Sequence, residues 1–317
     1  MSRFLQRTLF LFVLILSLSS CNKNIDQPLR VGTNVWPGYE PLYLARELKQ
    51  LKSEQVKLIE YASASEVIRA FRNRAIEAAS LTLDEALGLV HDNYPLKIIL
   101  IHDVSNGADS ILARNNIKTL KDIKGKTVAV ESGALGAYVL SRSLELNGLK
   151  IQDVKIKHLD VNAHERAFLR NEVDVVVNFE PVRTRLLKQG AKEIFSSREM
   201  YGEIVDVLVV HEDTYQYHQQ HLRHLVDSWF KALDYFEQNK QTAAGIMAKR
   251  LKVSPHEVIS SFAGLELGSL SINQKLLSGN PPSLKATMKL LERVLQENGL
   301  VNSTLETSNL ITDQFLR

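Results

Sequence analysis

The chain carries a single cysteine, Cys21, in 317 residues. That excludes a disulfide framework, a cysteine-built metal site and a thiolate nucleophile in the body of the protein. An excess of one charge is missing too. Thirty-nine Lys and Arg stand against 36 Asp and Glu, a formal +3 without basic runs. A nucleic-acid partner is therefore not expected. The common enzyme signatures are absent: no GxxxxGK(S/T) loop, no GxSxG elbow, and no GxGxxG after a strand. His256-Glu257 opens like a zinc-protease HExxH, but position 260 is Ser. His218, His221 and His224 are spaced so that their rings spread around a helix instead of converging. No cofactor and no metal are expected. Repeats and low-complexity tracts are lacking as well.

At the N-terminus, Arg3 and Arg7 precede a short apolar core, Leu9–Leu16 (LFLFVLIL), the layout of a secretory signal. The core is too short to span a bilayer, which takes about twenty apolar residues. Leu18-Ser19-Ser20-Cys21 resembles the bacterial lipobox, in which the cysteine is lipidated and becomes the mature N-terminus. An ordinary secretory signal with an incidental cysteine is the alternative. Residues 1–21 are read as the signal peptide and 22–28 as a polar tether. Removal of Arg3 and Arg7 leaves 37 basic against 36 acidic residues, or +1.

The body begins at Leu29 with LRVGTNVWPGYEPLYLAREL. Alternating apolar residues give a strand, Trp36-Pro37-Gly38 breaks it, and Leu42, Leu44, Ala45 and Leu48 resume as a helix. Strands follow at 56–61, 76–83 and 96–101, with Ser65 as the N-cap of one intervening helix and Asp84 opening the next. The polar stretch Asp103–Asp109 then reads as a crossing into a second lobe. Strands at 110–113, 127–131, 154–159 and 174–179 build that lobe, joined by a helix that Ser132–Tyr138 opens and that runs through Leu146, by one over 163–169, and by one from Glu180-Pro181. The β-branched run Ile204–His211, interrupted by Asp206, is the return strand. Beyond Asp213 the spacing predicts helices only, at 222–236, 243–251, 255–262, 284–295 and 305–315, packed outside the first lobe.

Polar and aromatic residues recur at the carboxyl ends of these strands, where open α/β sheets bind ligands. They are Trp36 and Tyr39 in the first loop; Ser80, Thr82 and Asp84 after the third strand; Ser105, Asn106 and Asp109 at the crossing; Asn178 and Glu180; and Asp206. Each has a plainer reading as core aromatic, helix cap or first-turn dipole partner. The second-lobe helix start is rich in small residues (Gly133, Ala134, Gly136, Ala137, then Tyr138). Its free amides suit a carboxylate, sulfonate, nitrate or phosphate oxygen.

Several segments together resemble the nitrate/sulfonate/taurine-type periplasmic solute-binding proteins of ABC transporters, a branch of the type II periplasmic-binding fold related to pyrimidine-precursor binders. They are Val31–Ala45, Ser105–Asp109, Gly125–Glu131, Asn178–Pro181 and Ile204–Val210. Phe179 departs from the pattern, since many relatives carry Trp before Glu-Pro. The resemblance implies an α/β fold of two lobes, each a mostly parallel sheet flanked by helices, with two crossover hinges and a helical C-terminal tail. Residues 29–106 and 207–317 would form lobe 1 and 107–206 lobe 2. It implies a small-molecule ligand in the cleft, touched by Trp36, Tyr39, Asp84, Asn106, Gly133–Tyr138 and Glu180. It also implies delivery to an ABC permease, by a protein expected to be a lipid-anchored monomer in the cell envelope, on the periplasmic face of a membrane.

A sensor lipoprotein feeding a membrane signalling protein would use the same cleft. An enzyme on this fold is the third reading; the pyrimidine-synthesising activity that the fold hosts needs a cysteine-rich motif this chain lacks. The cleft loops carry no Arg or Lys for a simple oxyanion. If two of Asp84, Asp109, Glu180 and Asp206 face the cleft, the solute bears an amine or an N–H-rich ring such as a pyrimidine.

Overall fold

The computed structural model describes residues 27–302, 307 and 309–316. Cys21, the signal segment and most of the tether therefore lie outside the described residues. Eleven strands are described: β1 (Leu29–Thr33), β2 (Val56–Glu60), β3 (Ala78–Thr82), β4 (Leu96–Ser105), β5 (Asp109–Ala113), β6 (Thr127–Val130), β7 (Lys155–His158), β8 (Val175–Phe179), β9 (Lys192–Ser196), β10 (Val205–His211) and β11 (Leu265–Leu267). The helices between them are α1 (Glu40–Glu47), α2 (Ala64–Arg72), α3 (Leu83–His91), α4 (Leu135–Leu146), α5 (Val161–Leu169) and α6 (Val182–Lys188). After β10 come α7 (Glu212–Tyr217), α8 (Gln219–Gln238), α9 (Lys240–Leu251), α10 (Pro255–Phe262), α11 (Leu270–Leu277) and α12 (Leu284–Glu297).

Two sheets organise the chain. One has six strands in the order β11-β4-β10-β3-β1-β2, the other five in the order β7-β6-β8-β5-β9. In the first, β2, β1 and β3 run parallel, and β10 lies antiparallel between β3 and β4. In the second, β7, β6 and β8 run parallel and β5 opposes both β8 and β9. Most strands of each sheet thus share one direction, which aims their carboxyl ends at a common cleft. The chain crosses between sheets twice, after Ser105 and before Val205. The first crossing is tied down where Ser197 Oγ accepts the Gly107 amide at 2.6 Å and meets Ser105 Oγ at 2.9 Å.

The central strands sit where both faces are covered. β3, β5 and β10 are buried along their whole length. On α8 the buried residues Leu222, Leu225, Val226, Trp229, Leu233 and Phe236 form the helical stripe seen in the sequence.

Several expectations shift. The N-cap of α2 is Ser63, whose side chain accepts the Glu66 amide, not Ser65. β4 continues through Asp103 to Ser105, so half of the supposed polar crossing is buried strand. Short β9, β11 and α11 escaped the sequence reading. No helix covers the described part of 305–315; Ile311 instead makes a parallel bridge to Ile98 of β4. Nor does the tail pack only on the first lobe, because α12 contacts both α3 and α4.

Candidate functional site

The floor of the cleft is built on β3, β4 and β10. Asp206 of β10 stands opposite Thr82 on one side and Asp103 on the other. Two aspartates paired across neighbouring strands repel when both are charged. The first loop covers them: Trp36 Nε1 donates to Asp103 Oδ2 at 3.1 Å, and the Tyr39 hydroxyl donates to Asp206. Gly38 between those aromatics is obligatory here, since a Cβ would lie 1.9 Å from Asp103 Oδ2. One layer below, Ser80 Oγ and His102 Nε2 share a hydrogen bond of 2.9 Å, and burial pushes the His102 pKa down to about 3.

The two lobes meet above this floor. Trp36 packs edge-on against Phe179 with ring centroids 5.5 Å apart. Glu85, in the first turn of α3, accepts the Thr82 amide on one oxygen and the Leu135 amide at the start of α4 on the other, both at 3.0 Å. Glu131, at the end of β6, accepts the Ser65 amide in the first turn of α2 at 3.1 Å. Each lobe therefore places a carboxylate on a helix N-terminus of the other, where backbone N–H groups and the helix dipole favour negative charge. Between these contacts lies a chamber of about 20 Å³, room for little more than a water molecule, lined by Glu85, Asp109, Glu131, Asn178 and Phe179 among others.

Its electrostatics are one-sided. Among the described residues no Lys or Arg lines the chamber. Its histidine, His164, has both ring nitrogens against the carbonyls of Val177 and Leu159, and burial lowers its pKa. Burial pushes Asp84 up to about 6 and Asp109 to about 7. It lifts Glu85 to about 8, with the charge of Asp84 adding, and Asp103 to about 8 despite the Trp36 bond. Asp206 rises well above the usual carboxylate range, from burial and then from Asp103. Asp103 Oδ1, Asp109 Oδ2 and Asn178 Nδ2 are buried without a hydrogen-bond partner.

The structure thus gathers Trp36, Tyr39, Thr82, Asp109, Asn178 and Asp206 around one cleft, with Ala134 and Gly136 on its second-lobe wall. Asp84 lines a neighbouring cavity of about 120 Å³ that shares Glu85 and Ala134 with the chamber. Other expected residues sit elsewhere. Ser80 is in the layer beneath. Asn106 lies in the crossing, its amide bonded to Gly264 O. Glu180 turns back on its own helix, bonding Thr184 and Arg183. Tyr138 donates to Glu203 at 2.5 Å. Gly133, at φ 71°, is exposed, and it and Tyr138 line the 120 Å³ cavity together with the expected Asp84 and Ala134. Sequence reasoning missed Glu85, Glu131 and Asp103; Glu85 reads as an ordinary capping-box residue, and only its burial marks it otherwise.

A larger cavity, about 510 Å³, opens at the mouth and is also lined by both lobes, with Phe179 between it and the chamber. Arg250 stands there over the Tyr43 ring, 3.5 Å from its centroid, paired with Glu40 and, at 2.7 Å, with Glu60.

Similarity to known proteins follows the same lines. The taurine-binding periplasmic protein of Escherichia coli K12 is 22% identical over 164 residues, 50% of this chain and 51% of that protein. The chain spans about half the length of the curated relatives it matches. The alkanesulfonate-binding protein SsuA from Xanthomonas axonopodis pv. citri, solved bound to MOPS, superposes with a TM-score of 0.73 at 17% identity, covering 90% of this chain and 97% of that one. The desulfurization enzyme DSZB superposes with a TM-score of 0.66 at 14% identity, covering 91% and 97%. These structures share the two-lobed fold of periplasmic binding proteins. Residues 22–252 match the model of the NMT1-like family, most of the described chain, and the protein belongs to that family.

Proposed function

We propose that the protein is an extracytoplasmic solute-binding lipoprotein that captures a small solute between its lobes and delivers it to an ABC transporter. The first sheet with its flanking helices, residues 29–106 and from Val205 onward, acts as one jaw and the stretch between as the other, so that the expected boundary at 206/207 moves ahead of β10; the jaws are hinged at the two crossings. Closure is favoured by a solute that bridges both. Cys21 is the lipid anchor. Support for the transport reading comes from the family, and from relatives whose names record taurine and sulfonate binding.

The solute is the part the cleft speaks to most directly. Buried carboxyls with unpartnered oxygens, and no Lys or Arg beside them, favour a solute that donates hydrogen bonds or carries positive charge: an amine or an amino-substituted ring. Titration calorimetry with ethanolamine, cytosine, taurine and nitrate tests this. Binding of the first two, with nitrate silent, is the expected result; nitrate bound more tightly than either amine sinks it. Trp36 and Phe179, closing edge-on, supply the apolar wall.

A further inference from the structure

The start of α4 is the anion seat that the sequence led one to expect, and the carboxyl group of a protein side chain already sits in it. Glu85 reaches from the other lobe, is buried, and uses both oxygens, one on the Leu135 amide and one on its own Thr82 amide. The reciprocal seat, the first turn of α2, holds Glu131. An incoming sulfonate or carboxylate would have to expel Glu85 from two hydrogen bonds and then lie beside Asp109 and Glu131 in the same chamber. A cation or N–H donor meets the opposite situation, because Asp109, which lines this chamber, keeps its Oδ2 buried without a hydrogen-bond partner.

We infer that Glu85 sets the charge selectivity of the cleft: it occupies the place of a solute anion, so that the cleft, parted enough to admit a solute, takes amine-type solutes and rejects simple organic anions. The inference rests on the cleft being the solute site. A chain with a small residue at position 85 would leave the α4 amides to the solute. Charge selection in this cleft is then decided by one side chain's reach across the gap.

The test is calorimetry of wild type, Glu85→Ala and Glu85→Gln, each first checked for a cooperative melt. Methanesulfonate serves as the plain anion and ethanolamine as the plain cation. Wild type should take ethanolamine and show methanesulfonate weaker. Glu85→Ala should bind methanesulfonate tighter by about tenfold or more, the worth of one charge-assisted hydrogen bond. Glu85→Gln, which still fills the seat, should gain less than Glu85→Ala. Equal methanesulfonate affinity in wild type and Glu85→Ala overturns the inference while leaving the amine reading standing. Wild type preferring methanesulfonate to ethanolamine overturns it whether or not the variants fold. Silence of every protein toward both probes removes the cleft reading, and this inference with it.

Discussion

Two buried charge clusters lie within the same jaw and differ in one respect. Around Arg250 the acids have a cation: the guanidinium pairs with Glu40 and Glu60, donates to the Asn34 carbonyl and stacks on Tyr43. On the floor, Asp103 and Asp206 have only Trp36 and Tyr39, which are neutral donors. A cluster that carries its own cation balances its charge and does structural work, even though Glu40 Oε2 is buried there without a hydrogen-bond partner. One whose buried carboxyls have no cation is costly to the free protein and is stabilised by whatever arrives to supply one.

The comparison can be broken from either side. The largest effect should come from Arg250→Leu, which strands the buried carboxylate of Glu40. Loss of one partner from a buried pair costs about 3–5 kcal/mol, read as a shifted denaturation midpoint at constant slope. A loss below about 1 kcal/mol, the scale of a surface pair, would deny the cluster its structural role. On the acid side the same operation should cost binding instead. Asp84→Asn and Asp109→Asn should each weaken ethanolamine binding by about 10- to 100-fold in calorimetry. Undiminished affinity in both would move the solute elsewhere.

The pH dependence sharpens the contrast. Asp84, Asp109, Glu85 and Asp103 are held above the ordinary carboxylate range, so between about pH 4 and pH 8 the folded protein binds more protons than the unfolded chain. The stability that these groups contribute is then full at low pH and falls as pH rises through that window, by about 1.4 kcal/mol per pH unit for each proton so held. Glu40, pushed up to about 7 by burial, slopes the same way. Asp103→Asn isolates the floor's share: thermal melts of this variant should be flatter between pH 6 and pH 8 than those of wild type. A parallel curve would mean that Asp103 is already ionised at neutral pH. The smallest effect is expected from Trp36→Phe, which removes one neutral hydrogen bond and keeps the ring edge near Phe179, for about 1 kcal/mol.

Much of the jaw was legible in the sequence because its signals are local. Trp36-Pro37-Gly38 marks the turn, the spacing from Leu42 to Leu48 marks α1, and Asp206 stands out within an apolar run. The residues that give the cleft its character depend on distant partners. Glu85 looks like a helix cap until the Leu135 amide, fifty positions on, is brought to it. Asp103 hides in a polar stretch whose first half turns out to be buried strand. Glu180 invites a ligand role, and Thr184 and Arg183 absorb it. At the C-terminus the helical period read over 305–315 competes with β4, and among the described residues Ile311 pairs with Ile98 in place of a helix.

The position of β10 has a consequence for how the chain is made. Strands β5 to β9 follow one another between residues 109 and 196, so the second sheet can close as soon as that stretch exists. The first sheet cannot. Until residues 205–211 arrive, β3 and β4 have no strand between them and the sheet stands as two separate pieces, each with a bare edge. The jaw whose strands come first in the sequence is completed last. A chain stopped between residues 197 and 204 would hold the strands of one finished lobe and the unpaired edges of the other, a species prone to association.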